Sequence, residues 1–213
     1  MKGIMFDSLH SYDHFALILT SKTIGQPIIK TEYVEVLGAD GQLDLTEAFG
    51  DIKYNNRKLT FVFSISEFNQ DWATAYSRVL NNLHGKKMKI VLDDDSDFYY
   101  IGRVTVSDYA SSKKIGTITI EVDAEPFKYK KILTIVTRTV SGTLTVDCYN
   151  SRKTVVPKFV TNAQVQITYN GNTYTIAGSG THIIPNIIFK QGFNTLTFNG
   201  SATVAVQYQE GDL

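Results

Sequence analysis

Apolar and polar residues alternate along most of the chain in short stretches rich in Val, Ile, Thr, Tyr and Phe, side chains that suit a half-buried pleated surface. In the first half this pattern predicts strands over residues 31–37, 58–65, 86–92, 99–107 and 117–122, separated by clusters of Gly, Asp and Asn. One segment has a different period. Trp72, Tyr76, Val79, Leu80 and Leu83 recur at helical spacing and place a single apolar stripe on one face, predicting a helix over 71–84. Asn69 or Asp71 is suited to accept hydrogen bonds from the free N–H groups at its start, and Gly85 to take the left-handed conformation that ends it. A helix covering one face of a sheet accounts for the stripe more simply than a partner groove or a cofactor contact does.

Near residue 126 the pattern changes again. Pro126 cannot donate a ladder hydrogen bond and ends the strand that approaches it, which puts a domain boundary near Lys131: residues 1–131 and 132–213. Beyond it, short strands are expected over 132–139, 143–148, 154–160, 163–169, 173–177, 194–198 and 203–208. Asn170-Gly171 supplies the positive φ angles of a tight hairpin, and Asn199-Gly200 reads as a second such turn. The second half is thus expected to be a small antiparallel sandwich.

Composition changes this picture little but excludes several functions. The chain has 213 residues, 43% hydrophobic and 20% charged, enough for two small packed domains. Its 21 basic and 21 acidic side chains cancel, so no net field draws it to nucleic acid or to an anionic membrane. Asp7, His10, Asp13 and His14 interrupt the N-terminus where a signal peptide needs an apolar run, and no stretch approaches the ~20 apolar residues of a membrane span. Synthesis in the cytosol is expected. The single Cys148 has no partner for an internal disulfide and reads as a small buried hydrophobe.

The patterns that carry chemistry are weak. Asp93, Asp95 and Asp97 fall at the spacing of the first ligands of a calcium loop, but Phe98 stands where that loop needs Gly and Val104 where it needs a bidentate Glu. A hairpin tip is the better reading. The four His residues are scattered, Ser179 lacks the spacing of a nucleophile elbow, and no phosphate-cradling Gly pattern occurs. No paired carboxylates suit a wall hydrolase using Asp93 or Glu121. No enzyme, cofactor or metal is therefore expected. Lys86, Lys87 and Lys89, with Asp93, Asp94, Asp95 and Asp97 close by, form opposite charges on neighbouring strand ends, suited to pairing with each other or with an adjacent subunit.

Several short segments occur in a characteristic order: Phe6-Asp-Ser, Gly38-Ala-Asp-Gly41 followed by Leu43-Asp44, and Tyr54-Asn-Asn-Arg57 leading into Leu59-Thr-Phe-Val-Phe63. The order continues through Trp72 and its helix, Leu83-His-Gly-Lys86, Tyr100-Ile-Gly-Arg103-Val104 and Ala124-Glu-Pro-Phe127. In these segments and their order the chain resembles the distal tail (Dit) family of phages and prophages of Gram-positive bacteria. Leu37 stands where relatives often carry proline. The resemblance implies a mainly β protein: an N-terminal sandwich or barrel-like domain with one helix, and a C-terminal galectin-like sandwich. It also implies a non-enzymatic homo-hexameric ring at the virion tail tip, assembled in the bacterial cytoplasm. Such a ring joins the tail tube protein to the tail-associated lysin or fibre protein, with receptor-binding proteins as further partners. The competing reading is a carbohydrate-binding module using the C-terminal sandwich, for which Tyr169, Tyr174 and Phe193 are the available aromatic side chains, the only Trp lying on the predicted helix.

Overall fold

The computed structural model describes residues 3–48, 50–65, 72–112 and 115–213. The protein is mainly β and contains two compact units, Met1–Lys128 with Leu213, and Tyr129–Asp212.

The first unit contains β1 (Ile4–Phe6), β2 (Leu9–His10), α1 (Ser11–Phe15), β3 (Leu17–Ile24), β4 (Tyr33–Glu35), β5 (Gln42–Asp44), β6 (Arg57–Ile65), α2 (Trp72–Leu83), β7 (Lys87–Leu92), β8 (Phe98–Ser112) and β9 (Ile115–Ala124). An antiparallel sheet runs β2-β1-β7-β8-β9-β6-β3. Period-two alternation decides which face of each strand is inside. Leu59, Phe61 and Phe63 of β6, Ile118, Ile120 and Val122 of β9, and Met88, Ile90 and Leu92 of β7 all point into one core. Lys22 of β3, at one end of the strand order, pairs with Asp94, which follows β7.

Helix α2 covers this core with Val79 and Leu83 buried and Tyr76 and Leu80 packed partly against it, as the stripe predicts. Tyr76 stacks on Tyr109 of β8 with ring centroids 4.5 Å apart. Gly85 ends the helix at φ +77°, its N–H donating to Val104 O at 2.8 Å. The proposed N-terminal caps, Asn69 and Asp71, lie outside the described residues. Trp72 lies against Gly116: a Cβ at that glycine would fall 2.1 Å from the indole, so only Gly allows this approach.

The second unit contains β10 (Lys128–Lys130), β11 (Thr134–Asn150), β12 (Lys158–Thr161), β13 (Val165–Tyr169), β14 (Asn172–Ile176), β15 (Gly180–Ile183), β16 (Gly192–Tyr208) and β17 (Gly211–Asp212). Asn170 and Gly171 both adopt positive φ and turn β13 into β14, as expected. The second expected turn, Asn199-Gly200, is not a turn. Residues 132–139 and 143–148 fall mostly in one strand, β11, and residues 194–198 and 203–208 in another, β16, paired in register from Thr134↔Tyr208 to Asn150↔Gly192. Gly142 and Gly200 face each other across this ribbon, at φ +84° and +148°. There β16 changes its second partner: its first half pairs with β13 (Thr168↔Thr197, Val165↔Gly200) and its last part with β12 (Thr161↔Val204, Lys158↔Gln207). The glycines therefore mark where one ribbon passes between two groups of strands, a bend that replaces a loop. Phe159, Ile167, Phe189, Leu196, Phe198 and Val206 fill the core between them.

Candidate functional site

The strand expected over 31–37 is shorter and belongs to no large sheet. Tyr33–Glu35 pairs only with Gln42–Asp44, forming a two-stranded sheet whose residues are all exposed. Lys30 N to Lys53 O and Asn55 N to Ile28 O, at 2.9 and 2.8 Å, continue the pairing toward its base, so residues 25–48 and 50–57 form an arm. Tyr33 is 51% exposed, and Val34, Val36, Leu37 and Leu43 are exposed with it. Periodicity predicted a strand here correctly but could not tell that neither face would meet the core.

Arg57 closes the base of the arm. It is only 3% exposed; its Nε donates to Gly25 O at 2.8 Å and its Nη1 to Pro126 O at 3.3 Å, with the guanidinium 5.5 Å from the Tyr100 ring centroid. Burial pushes the guanidinium pKa below its ordinary value, partly offset by Tyr100, and burial raises that of the Tyr100 hydroxyl. Tyr54 meets Phe127 edge-on at 5.7 Å, and Asn56 Nδ2 donates to Asp123 at 3.2 Å. Gly102 belongs to the same knot, because a Cβ there would lie 2.5–2.7 Å from Val122 and Ala124. Three of the segments that carry the family resemblance thus converge: Tyr54–Arg57 on Ala124–Phe127, beside Tyr100 and Gly102.

Residues 93–97 form the tip between β7 and β8, and their carboxylates diverge. Asp93 accepts from Gly3 N at 2.6 Å and lies 3.2 Å from His10 Nε2, Asp94 pairs with Lys22, and Asp95 pairs with Lys128 at 2.7 Å. Asp97 is exposed. Asp93, Asp94 and Asp95 each serve a different neighbour, which is not the convergence a calcium loop needs. Lys86, Lys87 and Lys89 are exposed; Lys87 pairs with Glu125 at 2.8 Å and Lys89 lies 5.0 Å from the Tyr99 ring centroid. Sequence proximity suggested that these acids and bases would pair with each other or with an adjacent subunit; within the chain, Asp93, Asp94, Asp95 and Lys87 instead meet His10, Lys22, Lys128 and Glu125.

The His residues, Cys148 and Glu121 make local contacts within the fold. His10 caps α1 and its backbone N–H donates to His14 Nδ1, His84 Nδ1 accepts from Val106 N, and His182 Nε2 lies 3.1 Å from Gly178 O. Cys148 is fully buried, and desolvation pushes its thiol pKa up to about 11. Glu121 pairs with Lys58. Among the described residues no three His, Cys, Asp or Glu side chains gather as a metal site, and no helix is long and apolar enough to cross a membrane. A cleft of about 220 Å³ lined by Gly3, Leu19, Lys22 and Asp94 is smaller than the ~300–1,000 Å³ of small-molecule sites. Of the aromatic residues suited to a sugar platform, Tyr169 is buried with its hydroxyl donating to Ile188 O, and Tyr174 packs partly on the core. Phe193 is 77% exposed.

No protein-family model and no curated protein matches the chain. Among solved structures it is similar to the Dit (gp 19.1) protein of SPP1, described as a paradigm of the hub adsorption apparatus in phages infecting Gram-positive bacteria. The TM-score is 0.72 at 15% identity, with 100% of each chain covered. At that identity the likeness is one of fold, and the conclusion it carries is that this chain has a Dit-like fold along its whole length.

Proposed function

We propose that the protein is a non-enzymatic structural subunit of a phage or prophage tail tip, at which it forms a hexameric ring. The ring joins the tail tube to the tail-associated lysin or fibre protein and the baseplate, and assembles in the bacterial cytoplasm. The observation that carries this reading is the full-length fold likeness to a hub adsorption protein. In this reading residues 1–131 form the ring and residues 132–213 a galectin-like domain.

A closed ring needs two different patches on each subunit that meet head to tail. The arm supplies one. A two-stranded hairpin is marginal alone in water, and this one presents apolar side chains on both faces, which a neighbouring subunit would cover. It is also acidic, carrying Glu32, Glu35, Asp40, Asp44, Glu47 and Asp51 against Lys30, Lys53 and the buried Arg57. The exposed Lys86, Lys87 and Lys89, with Arg103 opposite Lys87 in register, form the complementary patch. Asp93, Asp94 and Asp95, already engaged within the unit, hold the tip of that patch in place.

Light scattering across concentration, followed by negative-stain imaging of the largest species, tests the reading. Six-fold rings are expected, and Tyr33→Asp with Leu37→Asp should dissolve them without lowering the melting temperature of the monomer. A protein that stays monomeric at every concentration, or rings indifferent to the double substitution, would refute assembly through the arm.

A further inference from the structure

The outer face of one half of the C-terminal ribbon has an unusual composition. Residues 143–149 of β11 and 193–199 of β16 alternate between core and solvent, and the solvent-facing members lie opposite one another. Thr145 faces Thr197, which faces Thr168 of β13, which faces Thr173 of β14, so four threonines cross four strands in one row. The hydroxyls of Thr145 and Thr197 are 3.4 Å apart and those of Thr168 and Thr173 2.9 Å. The row on one side ends with Asn199 opposite Gln166; on the other side Thr195 donates to Asp147 at 2.6 Å. Beyond that pair the face closes with Tyr149 opposite Phe193, 51% and 77% exposed, their rings edge to face at 5.4 Å.

We infer that this face is a binding site for a neutral polysaccharide. Hydroxyl and amide side chains both donate and accept, which matches the alternating donors and acceptors of sugar hydroxyls. Strand spacing fixes them ~4.8 Å apart across the sheet, a regular lattice with little entropy left to lose on binding. The exposed aromatic pair offers its rings to the C–H face of a sugar, the apolar side that hydroxyl groups cannot serve. The charge pattern selects the ligand. Asp147 is the only charged side chain on this face and accepts from Thr195, so an anionic polymer meets a like charge here, while a neutral one meets a carboxylate with acceptor capacity left for a sugar hydroxyl.

The aromatic end is held in place from within. Buried Asn194 accepts from Lys190 N at 2.9 Å and donates to Lys190 O and Gly192 O, fixing the turn that presents Phe193. Arg152 Nη1 donates to Gln191 Oε1 at 2.6 Å and ties the same turn to the end of β11. Exposed Phe193 is thus presented on a rigid mount.

The site stands independently of ring assembly, and the experiment keeps the two apart. The full chain is titrated with tetrasaccharides of glucose, galactose, rhamnose and N-acetylglucosamine, and with a glycerol-phosphate polymer, using saturation-transfer NMR, which tolerates a large assembly. At least one neutral tetrasaccharide should bind. Phe193→Ala should weaken it roughly tenfold, the loss of one stacking contact, and Thr197→Val, which leaves shape and removes the hydroxyl, should weaken it severalfold. Thr137→Val, on the other half of the ribbon, should leave binding unchanged. No neutral sugar bound, undiminished binding by both Phe193→Ala and Thr197→Val, or preference for the glycerol-phosphate polymer would each overturn the inference, whether or not rings form.

Discussion

Removing the Arg57 side chain tests the most specific contact in the first unit. In Arg57→Ala two hydrogen bonds from a charged donor are lost, each contributing ~1.5–3 kcal/mol, together with a guanidinium–ring contact of roughly 0.5–2 kcal/mol. Relief of the desolvation that depresses the guanidinium pKa returns part of this, leaving a net loss of about 3–4 kcal/mol. For a unit of this size, ~2.1 cal/mol/K of unfolding entropy per residue converts that loss into a fall in melting temperature of roughly 10–15 °C. Trp72, the only tryptophan, lies in the same unit, so its fluorescence during urea unfolding reports this loss directly. Arg57→Lys keeps the charge but not the planar fork that reaches two carbonyls, and should recover less than half. Arg57→Met keeps most of the apolar stem and separates packing from hydrogen bonding. A loss under about 1 kcal/mol in Arg57→Ala, or wild-type stability in Arg57→Met, would refute the view that the two carbonyl contacts hold the base of the arm.

Further outcomes follow from single positions. Gly116→Ala should push the indole of Trp72 out of place, costing about 1–3 kcal/mol and shifting its emission to the red. Gly142→Ala meets no neighbouring atom but must hold φ +84°, so it should cost about 1–2 kcal/mol, read from the urea midpoint of the far-ultraviolet signal. Cys148 should resist thiol reagents at pH 8 in the folded protein and react only on unfolding. Its folded pKa of about 11 lies above the ordinary 9.0, so the folded state retains the proton longer. Its contribution to stability should be complete below pH 9 and lost as pH rises through about 11; Cys148→Ala should flatten that part of the pH profile.

Elements with a strong local period were legible. The stripe from Trp72 to Leu83, its glycine stop, the Asn170-Gly171 turn and most central strands were all readable because one face of each is buried and the other is not. Strands β1 and β3 escaped notice because they are short or half exposed, with burial set by neighbours distant in sequence. Asn199-Gly200 misled for a physical reason: the dipeptide that permits positive φ in a tight turn permits it equally in a bend within a continuous strand, and only pairing with Gly142 distinguishes them. Charge pairing was illegible for a similar reason, since Lys22, Lys128 and Glu125 reach the β7–β8 region through the sheet and not along the chain.

The same contrast explains why fold and function were read with unequal ease. The segments around Tyr54–Arg57, Tyr100–Val104 and Ala124–Phe127 are bound to one another by close contacts: a cation against a ring, an arginine on the Pro126 carbonyl, a glycine pressed against the neighbouring strand. Residues with so many simultaneous partners tolerate few alternatives, so they mark a fold wherever they recur. The arm and the threonine face obey a weaker rule. Their strand alternation requires only that the inward members be apolar where there is a core, and leaves the outward members to whatever lies outside the chain. Partners are therefore recorded at the positions where folding is silent. That is why the exposed apolar arm and the aromatic-ended threonine face, and not the buried motifs, are the places where substitution should change assembly or binding while leaving the fold intact.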